Sequence, residues 1–217
     1  MPDQSAGQSG LENAYTLQSP DDNRAYYDGF AATYDTDFAQ GMGWDYPKAI
    51  ARIWCAHAGA TDLPVADIGC GTGHVAAELG VPPDAIDGMD ISPEMLAVAR
   101  GKQIYRTLQE VDLTKPLDAL GTDYGAVVSA GTFTHGHLGP EPLAALLGIA
   151  RPGALFVIGV NQQHFQTREF APMLEALVKD GKIEPPHIEA IRMYSRTDHA
   201  HADDLALILR YRKAITA

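Results

Sequence analysis

The chain has 217 residues, of which 28 are acidic and 16 are Lys or Arg, and its formal net charge is −12 at pH 7. That length predicts one α/β domain with a sizeable core, while the charge argues against a duplex nucleic-acid partner and against an anionic membrane surface. Two cysteines, Cys55 and Cys70, exclude a disulfide framework and lack metal-ligand spacing. The residues after Met1 are polar, without the apolar stretch of a signal peptide or a transmembrane helix, so we expect a cytoplasmic protein.

The amino-terminal residues are small and polar. Residues 1–19 predict a flexible tail, because they have too little apolar surface to order themselves. A single domain is then expected over residues 20–217. It begins with a helix, which Ser19 marks as the N-cap and Pro20 as the first turn.

Aromatic residues are prominent in this first segment. Tyr27 and Tyr34 lie seven residues apart and so share one helical face. Two interpretations fit: an amphipathic helix packed on the core, or a lid of residues 20–40 over a binding pocket. Trp44 and Tyr46 follow in a loop, where they either form the wall of a substrate pocket or anchor the loop by packing, which is the commoner use.

The stretch Val65–His74 predicts a short buried strand, a glycine-dense turn and the start of a helix. The glycines of the turn are Gly69, Gly71 and Gly73. They allow a tight turn that exposes backbone N–H groups at the helix start, where an anion is favoured. Asp90 ends the next predicted strand, over residues 85–90, and an acid there can accept both hydroxyls of a ribose. Loop and acid together predict a nucleoside-containing cofactor.

The spacing of the loop indicates which cofactor. A dinucleotide-binding loop has the pattern G-x-G-x-x-G, whereas this loop is G-x-G-x-G and has His74 at the last position. The carboxylate of Asp67 would repel a pyrophosphate and attract the ammonium and sulfonium groups of S-adenosylmethionine. A nicotinamide oxidoreductase is also disfavoured because no tyrosine has a lysine four residues later.

The remaining elements alternate between strands and helices. Helices are expected at about 47–57, 93–100, 141–150 and 168–180, and strands at about 104–111, 124–130, 154–160, 187–195 and 205–212. This βα order is typical of an α/β fold whose ligand binds at the carboxyl edge of the strands.

Several motifs carry a family resemblance. The stretch Asp67–Gly73 resembles the first motif of class I S-adenosylmethionine-dependent methyltransferases, and Tyr27–Asp35 (Y-D-x-x-A-x-x-Y-D) resembles the amino-terminal motif of many small-molecule methyltransferases. Together with Gly69–Leu79 and Gly88–Leu96, these residues look closest to the methyltransferase-like protein of the Williams–Beuren syndrome region and its bacterial relatives. No Asn-Pro-Pro-Tyr or Asp-Pro-Pro-Tyr element follows strand four, which argues against amino-group methylation of adenine or glutamine.

The resemblance implies a fold and a set of site residues. The fold is a Rossmann-like, mostly parallel sheet of seven strands in the order 3-2-1-4-5-7-6, with strand 7 antiparallel and helices on both faces. The cofactor-binding residues are expected to be Tyr34, Asp67, Gly69, Cys70, Gly71, Gly73, Asp90, Ile91, Met95, Asp112, Leu113 and Ser129. Of these, Asp112 and Leu113 are expected at the adenine. His135 is the first candidate for a base because the position after strand four faces the methyl group, and His137, His199 and Tyr27 come next.

The expected activity is transfer of the methyl group of S-adenosyl-L-methionine to a small-molecule acceptor by in-line displacement, releasing S-adenosyl-L-homocysteine. The alternative is a non-catalytic cofactor-binding or regulatory protein of the same fold. The pairs His135-x-His137 and His199-x-His201 also allow a metal site, which is disfavoured because no cysteine or carboxylate cluster supports it. The sequence does not predict the acceptor or the oligomeric state.

Overall fold

A computed structural model describes residues 12–215 of the chain. The strands are β1 (Val65–Ile68), β2 (Ile86–Asp90), β3 (Thr107–Glu110), β4 (Tyr124–Phe133), β5 (Ala150–Asn161), β6 (His187–Arg192) and β7 (Leu205–Arg212). The α-helices are α1 (Pro20–Phe30), α2 (Tyr46–His57), α3 (His74–Leu79), α4 (Pro93–Gly101), α5 (Pro142–Ile149), α6 (Gln162–Thr167) and α7 (Phe170–Lys179). A π-helical segment spans Tyr34–Gln40, and short 3₁₀ turns span Ala60–Asp62 and Pro83–Ala85.

The seven strands form one sheet in the order β3-β2-β1-β4-β5-β7-β6. Strands β1 to β5 pair in parallel, and β7 is antiparallel to both of its neighbours, β5 and β6. The predicted fold class, strand order and antiparallel seventh strand are therefore confirmed. Parallel pairing brings the carboxyl ends of β1, β2, β3 and β4 to the same edge of the sheet, where ligands bind in such folds.

The core lies on both faces of the central strands. Alternate residues of β5 point to opposite faces, so Phe156 and Ile158 pack in one cluster while Leu155 and Val157 pack in the other. Helices cover both clusters, which is why the central strands are almost continuously apolar. Asp67 of β1, which lies between β2 and β4, is a fully buried carboxyl among these apolar residues.

Several boundaries differ from the predicted ones. The predicted strand over residues 104–111 begins only at Thr107, because Tyr105 turns toward Asp67 and donates a hydrogen bond to it (2.6 Å). The helix predicted at 168–180 is found as α7, and a separate short helix that was not predicted, α6, precedes it. Helix α6 is capped by Asn161, whose Oδ1 accepts from the backbone N–H of His164 at 3.0 Å.

A flexible tail was predicted over residues 1–19. Residues 1–11 lie outside the described residues, and the prediction needs a correction for residues 12–19. Residues 12–19 lie against the carboxyl edge of the sheet, and we call them the strap. Ala14 is 4% exposed, and the ring of Tyr15 is 5.5 Å from that of His135 and 5.8 Å from that of His201. Ala14 and Tyr15 thus give the strap apolar surface to pack on the core, although residues 1–19 as a whole are mostly polar.

Serine residues cap two of the helices, and the cap at Ser19 was predicted. Ser19 Oγ accepts from the backbone N–H of Asp22 (3.1 Å), and Ser92 Oγ accepts from that of Met95 (3.1 Å). None of the helices within residues 12–215 combines the length and the hydrophobicity that crossing a membrane requires.

Candidate functional site

A cavity of about 290 Å³ opens at the carboxyl edge of β1 to β4. The predicted site residues that line it are Tyr27, Tyr34, Gly69, Cys70, Gly71, Asp90, Ile91, Met95, Asp112, Leu113 and His137. Five other predicted residues, all within the described chain, lie outside its lining: Asp67, Gly73, Ser129, His135 and His199. The fold thus brings most of the predicted cofactor residues to one place and separates the predicted histidines.

Asp90 is held at the end of β2 by two backbone groups. Its Oδ2 accepts from the N–H of Gly71 at 2.8 Å, and its Oδ1 accepts from the N–H of Ser92 at 2.9 Å. Burial raises the pKa of Asp90 above its ordinary value, and these donors oppose that shift. The carboxylate therefore organises the glycine turn and also lines the cavity.

Gly69 begins that turn with a backbone that only glycine adopts easily. Its φ is +63°, and a Cβ at this position would overlap Thr132 Oγ1. Thr132 is itself held against β1, because its Oγ1 donates to the carbonyl of Ile68 at 3.0 Å. The turn and the segment after β4 therefore fit together only without a side chain at residue 69.

Asp67 lies beneath the turn rather than in the cavity wall. It is 0% exposed, and its Oδ2 accepts a hydrogen bond from the hydroxyl of Tyr105 (2.6 Å). Burial raises the pKa of Asp67 to about 7, so its negative charge is only partly formed at neutral pH. Asp67, which was predicted to attract the cationic groups of the cofactor, therefore lies behind the cavity wall and does not line it.

Asp67 has a testable effect on stability. Because its pKa is raised to about 7 in the folded chain, the folded state holds a proton that the unfolded state loses near its ordinary pKa of 3.8. The free energy of unfolding is expected to fall as the pH rises from about 4 to about 7, and to level off above that. Denaturant titrations measure this, with Asp67→Asn as the matched variant that cannot titrate. A wild-type pH dependence no steeper than that of the variant would contradict the assignment.

Ser129 and Gly73 support the site from behind. Ser129 is fully buried, and its Oγ donates to the carbonyl of Ile68 at 2.7 Å, which joins β4 to the end of β1. Gly73 has φ +95°, and a Cβ there would press on Ile104 and Tyr105. Both predicted cofactor contacts are therefore supports of the turn.

The end of β3 supplies the predicted adenine residues. Asp112 and Leu113 line the cavity. Asp112 Oδ1 accepts from the backbone N–H and the hydroxyl of Thr114, at 2.9 and 2.7 Å. This leaves its other oxygen, Oδ2, for a donor such as the adenine amino group.

Tyrosines of the amino-terminal segment cover the cavity. Tyr27 on α1 and Tyr34 at the start of the π-helical segment both line it, with their ring centroids 6.3 Å apart. Trp44 also lines the cavity, with its ring 6.1 Å from that of Tyr34. These three rings form an aromatic part of the cavity wall, and the lid interpretation of residues 20–40 stays a prediction.

The aspartates beside these tyrosines attach the lid to the cofactor-binding elements. Asp28 Oδ1 accepts from the hydroxyl of Ser92 at 2.6 Å. Asp35 accepts from Thr72 Oγ1 (2.6 Å) and His74 Nε2 (2.9 Å), and it pairs with Lys102 Nζ (2.6 Å). Each Tyr-Asp pair of the motif therefore directs its tyrosine into the cavity and its aspartate onto the rim.

His137 is the histidine that reaches the cavity. Its Nδ1 lies 2.8 Å from the carbonyl of His135, so Nδ1 carries the proton and donates. Its Nε2 lies 2.8 Å from the hydroxyl of Tyr27 and accepts from it. Burial lowers the pKa of His137 to about 4, which keeps the ring neutral at neutral pH.

His135 and His199 are not placed as predicted. The ring of His135 packs against His164, at 5.1 Å between centroids, and the ring of His199 packs against Tyr194 at 5.0 Å. The predicted strand ended at residue 130, but β4 continues to Phe133 with a register irregularity after Ser129. The strand thus ends three residues later than expected, and His137 lines the cavity instead of His135.

The metal alternative depended on two His-x-His pairs meeting. Within residues 12–215, no group of three or more His, Cys, Asp or Glu side chains is placed to hold a metal. His137 is engaged by Tyr27, and His201 Nδ1 lies 3.0 Å from Asp204 Oδ2. The ring of Tyr15 lies beside one histidine of each pair, 5.5 Å from that of His135 and 5.8 Å from that of His201.

Some lining residues had no signal in the sequence. Gln18, Ser19 and Asn23 line the cavity from the end of the strap and the start of α1. Asn23 Nδ2 donates to the carbonyl of Gly136 at 2.9 Å, across 113 residues of chain. Such a contact exists only once the fold brings the two segments together.

The amino-acid sequence is similar to those of known methyltransferases. Residues 65–153 match a family model described as a methyltransferase domain. Methyltransferase-like protein 27 of Homo sapiens is 30% identical over 152 residues, which cover 66% of this chain and 60% of that protein. The chain thus spans less than two thirds of the length of this curated relative.

Solved structures show the same fold at low identity. A TehB-like S-adenosylmethionine-dependent methyltransferase from Corynebacterium glutamicum is 21% identical, with a TM-score of 0.57 over 87% of this chain and 98% of that one. Magnesium protoporphyrin IX methyltransferase from Synechocystis, solved with bound S-adenosylmethionine, is 19% identical, with a TM-score of 0.55 over 97% of this chain and 93% of that one. By sheet order, by the match over residues 65–153 and by these structural neighbours, the chain has the fold of the class I S-adenosylmethionine-dependent methyltransferases.

Proposed function

We propose that this chain binds S-adenosyl-L-methionine and transfers its methyl group to a small-molecule acceptor by in-line displacement, releasing S-adenosyl-L-homocysteine. The observation that carries the proposal is the cavity itself. It joins the glycine turn, Asp90 and Asp112 to an aromatic lid at the carboxyl edge of a parallel sheet. The similarity to methyltransferases over residues 65–153 supports it.

The lining residues fit the parts of this cofactor. Asp90 would accept the ribose hydroxyls, and Asp112 with Leu113 would hold the adenine. Tyr34 presents an aromatic ring that favours a cation, and Asp67 adds negative charge from below. When bound, S-adenosylmethionine supplies a methyl group already activated by its positively charged sulfur, so the chain needs mainly to position the acceptor and to manage a proton.

The proton would be managed by Tyr27 and His137. The hydroxyl of Tyr27 donates to Nε2 of His137, so an acceptor proton taken up by Tyr27 Oη can be matched by transfer of the tyrosine proton to Nε2. Burial holds the pKa of His137 low, so protonation of its ring is unfavourable, and a sulfonium in the same cavity would make it more so. Methyl transfer removes the positive charge from sulfur, and protonation of His137 becomes less unfavourable in the same step.

The alternative is a protein of this fold that binds the cofactor without turnover. Two observations favour it: burial lowers the pKa of His137, the imidazole at the cavity, and the histidine predicted first as base, His135, does not line the cavity. Binding without transfer to any acceptor would distinguish this alternative from the enzyme.

Three further statements are part of the proposal. We propose that the chain is related to the methyltransferase-like protein of the Williams–Beuren syndrome region, on the motif stretches at residues 27–35, 69–79 and 88–96. A small-molecule acceptor and a location in the cytoplasm are proposed on the composition and motifs of the chain.

The test of the function has two stages. S-adenosylhomocysteine is expected to raise the melting temperature of the protein in a concentration-dependent manner, since it binds the folded state only, whereas NAD is expected to leave it unchanged. Methyl transfer from labelled S-adenosylmethionine to a panel of metabolites then measures turnover. Stabilisation by NAD instead of S-adenosylhomocysteine would contradict the cofactor, and binding without turnover on any acceptor would favour the non-catalytic alternative.

A further inference from the structure

A second, smaller chamber of about 50 Å³ adjoins the cofactor cavity. The two share the side chains of Tyr27, Tyr34, Trp44 and His137, so the chamber begins where the tyrosine–histidine pair stands. At about 10–15 Å³ for each water-sized group, the larger cavity takes about 20–30 such groups, roughly the size of S-adenosylmethionine, and the chamber takes about three to five. With the cofactor bound, the chamber is therefore the space left for an acceptor beside Tyr27 and His137.

The strap closes one side of this chamber through Ala14 and Tyr15. Its backbone lies directly on Gly136, which has a φ of +74° and at which a Cβ would overlap the carbonyl oxygen of Ala14. The ring of Tyr15 is also held edge-on against that of His135, at 5.5 Å between centroids. The docked strap thus sets the size of the chamber, and Tyr15 is the larger of its two side chains there.

The wall of the chamber carries no Asp, Glu, Lys or Arg side chain among the described residues. An ionised carboxylate or phosphate would lose its hydration there without gaining an opposite charge. An ammonium group would lose its hydration in the same way, and the sulfonium of the cofactor would also repel it. The volume leaves no room for a ring. A short, uncharged thiol or alcohol is the kind of acceptor that remains.

Proton transfer and packing both favour the thiol. Burial lowers the pKa of His137 to about 4, so Tyr27 and His137 together form a weak base. A thiol, with a pKa of about 8.5 on the cysteine scale, releases its proton to such a base far more readily than an aliphatic alcohol does. Sulfur also makes favourable contacts with aromatic rings, and Tyr15, Phe38 and Tyr194 supply such rings in the wall.

We propose that the methyl acceptor is a short, uncharged alkyl thiol bound in this chamber, and that Tyr15 of the strap limits its size. This inference rests on the proposed function. The thiol would give its proton to Tyr27 Oη as the tyrosine proton moves to His137 Nε2, while its sulfur attacks the methyl group. A new carbon–sulfur bond forms to the methyl group, and the old one breaks with its electron pair left on the cofactor sulfur. The products are a methyl thioether and S-adenosylhomocysteine.

The test measures methyl transfer from labelled S-adenosylmethionine to four acceptors at neutral pH. Ethanethiol is the short uncharged thiol, ethanol its oxygen analogue, mercaptoacetate its charged analogue and phenylmethanethiol its aromatic analogue. The wild-type kcat/KM for ethanethiol is expected to exceed that for each of the others by at least about tenfold. As a second readout, calorimetry of the complex with S-adenosylhomocysteine should detect binding of ethanethiol and none of mercaptoacetate.

Tyr15→Ala tests the size limit, because it removes the ring from the wall. The ratio of kcat/KM for phenylmethanethiol to that for ethanethiol is expected to rise by about tenfold or more. Tyr15→Phe keeps the ring and is the matched control, so its ratio should stay within about threefold of wild type.

Two results would overturn the proposal. One is a wild-type kcat/KM for ethanethiol no higher than that for ethanol, mercaptoacetate or phenylmethanethiol, and the other is an unchanged ratio in Tyr15→Ala. If Tyr15→Ala does not fold, the comparison of the four acceptors on the wild-type protein still decides. If S-adenosylhomocysteine does not bind, the proposed function fails. If it binds and ethanethiol is neither bound nor methylated, the thiol acceptor alone fails.

Discussion

Replacing His137 with alanine is expected to lower the methyl-transfer rate by a factor on the order of 10²–10⁴, the usual contribution of a positioned proton acceptor. The reason is geometric. His137 Nε2 accepts from the hydroxyl of Tyr27 at 2.8 Å, and His137 Nδ1 is already committed to the carbonyl of His135. Without the imidazole, Tyr27 has no group to which its own proton can pass. Steady-state rates with a responsive acceptor measure the loss, and calorimetry should show S-adenosylhomocysteine affinity within about threefold of wild type.

His135→Ala is the matched control for that experiment. It removes a neighbouring imidazole that packs against His164 and does not line the cavity, so its rate is expected to stay within a few-fold of wild type. The wild-type rate should fall as the pH drops below the pKa of His137, because only the neutral ring accepts a proton. Burial lowers that pKa to about 4. A larger loss in His135→Ala than in His137→Ala would reverse the assignment, and an equal loss of cofactor affinity would move His137 to the cofactor side.

Asp90→Ala is expected to weaken S-adenosylmethionine binding by about 1.5–3 kcal/mol, which is roughly ten- to 150-fold, the scale of hydrogen bonds to a charged group. The variant would remove the proposed ribose contact. It would also free the N–H groups of Gly71 and Ser92, which the carboxylate holds at 2.8 and 2.9 Å, so the glycine turn should lose part of its order. Calorimetry with S-adenosylhomocysteine measures the change in affinity.

Asp84→Ala provides the comparison for Asp90. It changes the net charge by the same amount, but Asp84 is exposed in the 3₁₀ turn Pro83–Ala85, away from the cavity lining. Its affinity for S-adenosylhomocysteine should equal that of wild type within about twofold, since an exposed charge at a distance is screened by salt. Equal affinity in both variants would remove Asp90 from the ribose site.

Acceptor specificity follows from how the lid is held. The two aspartates of the motif, Asp28 and Asp35, bind the rim of the cofactor site, which turns Tyr27 and Tyr34 inward. The same tyrosines line the small uncharged chamber. Cofactor site and acceptor site would therefore be assembled by one segment, so a change in the lid should affect both together.

The sequence by itself determined the sheet and the cofactor edge. The positions of the strands, the glycine turn and the position of Asp90 depend on local patterns: buried apolar runs, glycines where φ must be positive, and an acid at a strand end. The strand order was expected from the family resemblance that these motifs carry. Local chemistry of this kind needs no knowledge of distant residues. The same applies to the caps at Ser19 and Ser92, which are formed by groups three residues apart.

Only the tertiary structure decided which side chains meet across the cavity. The sequence favoured His135 over His137, and the choice depends on where β4 ends and on the pairing of His137 with Tyr27, 110 residues away. The packing of the strap likewise depends on partners far along the chain. Burial and long-range hydrogen bonds arise from the packing of whole elements, so no local pattern encodes them.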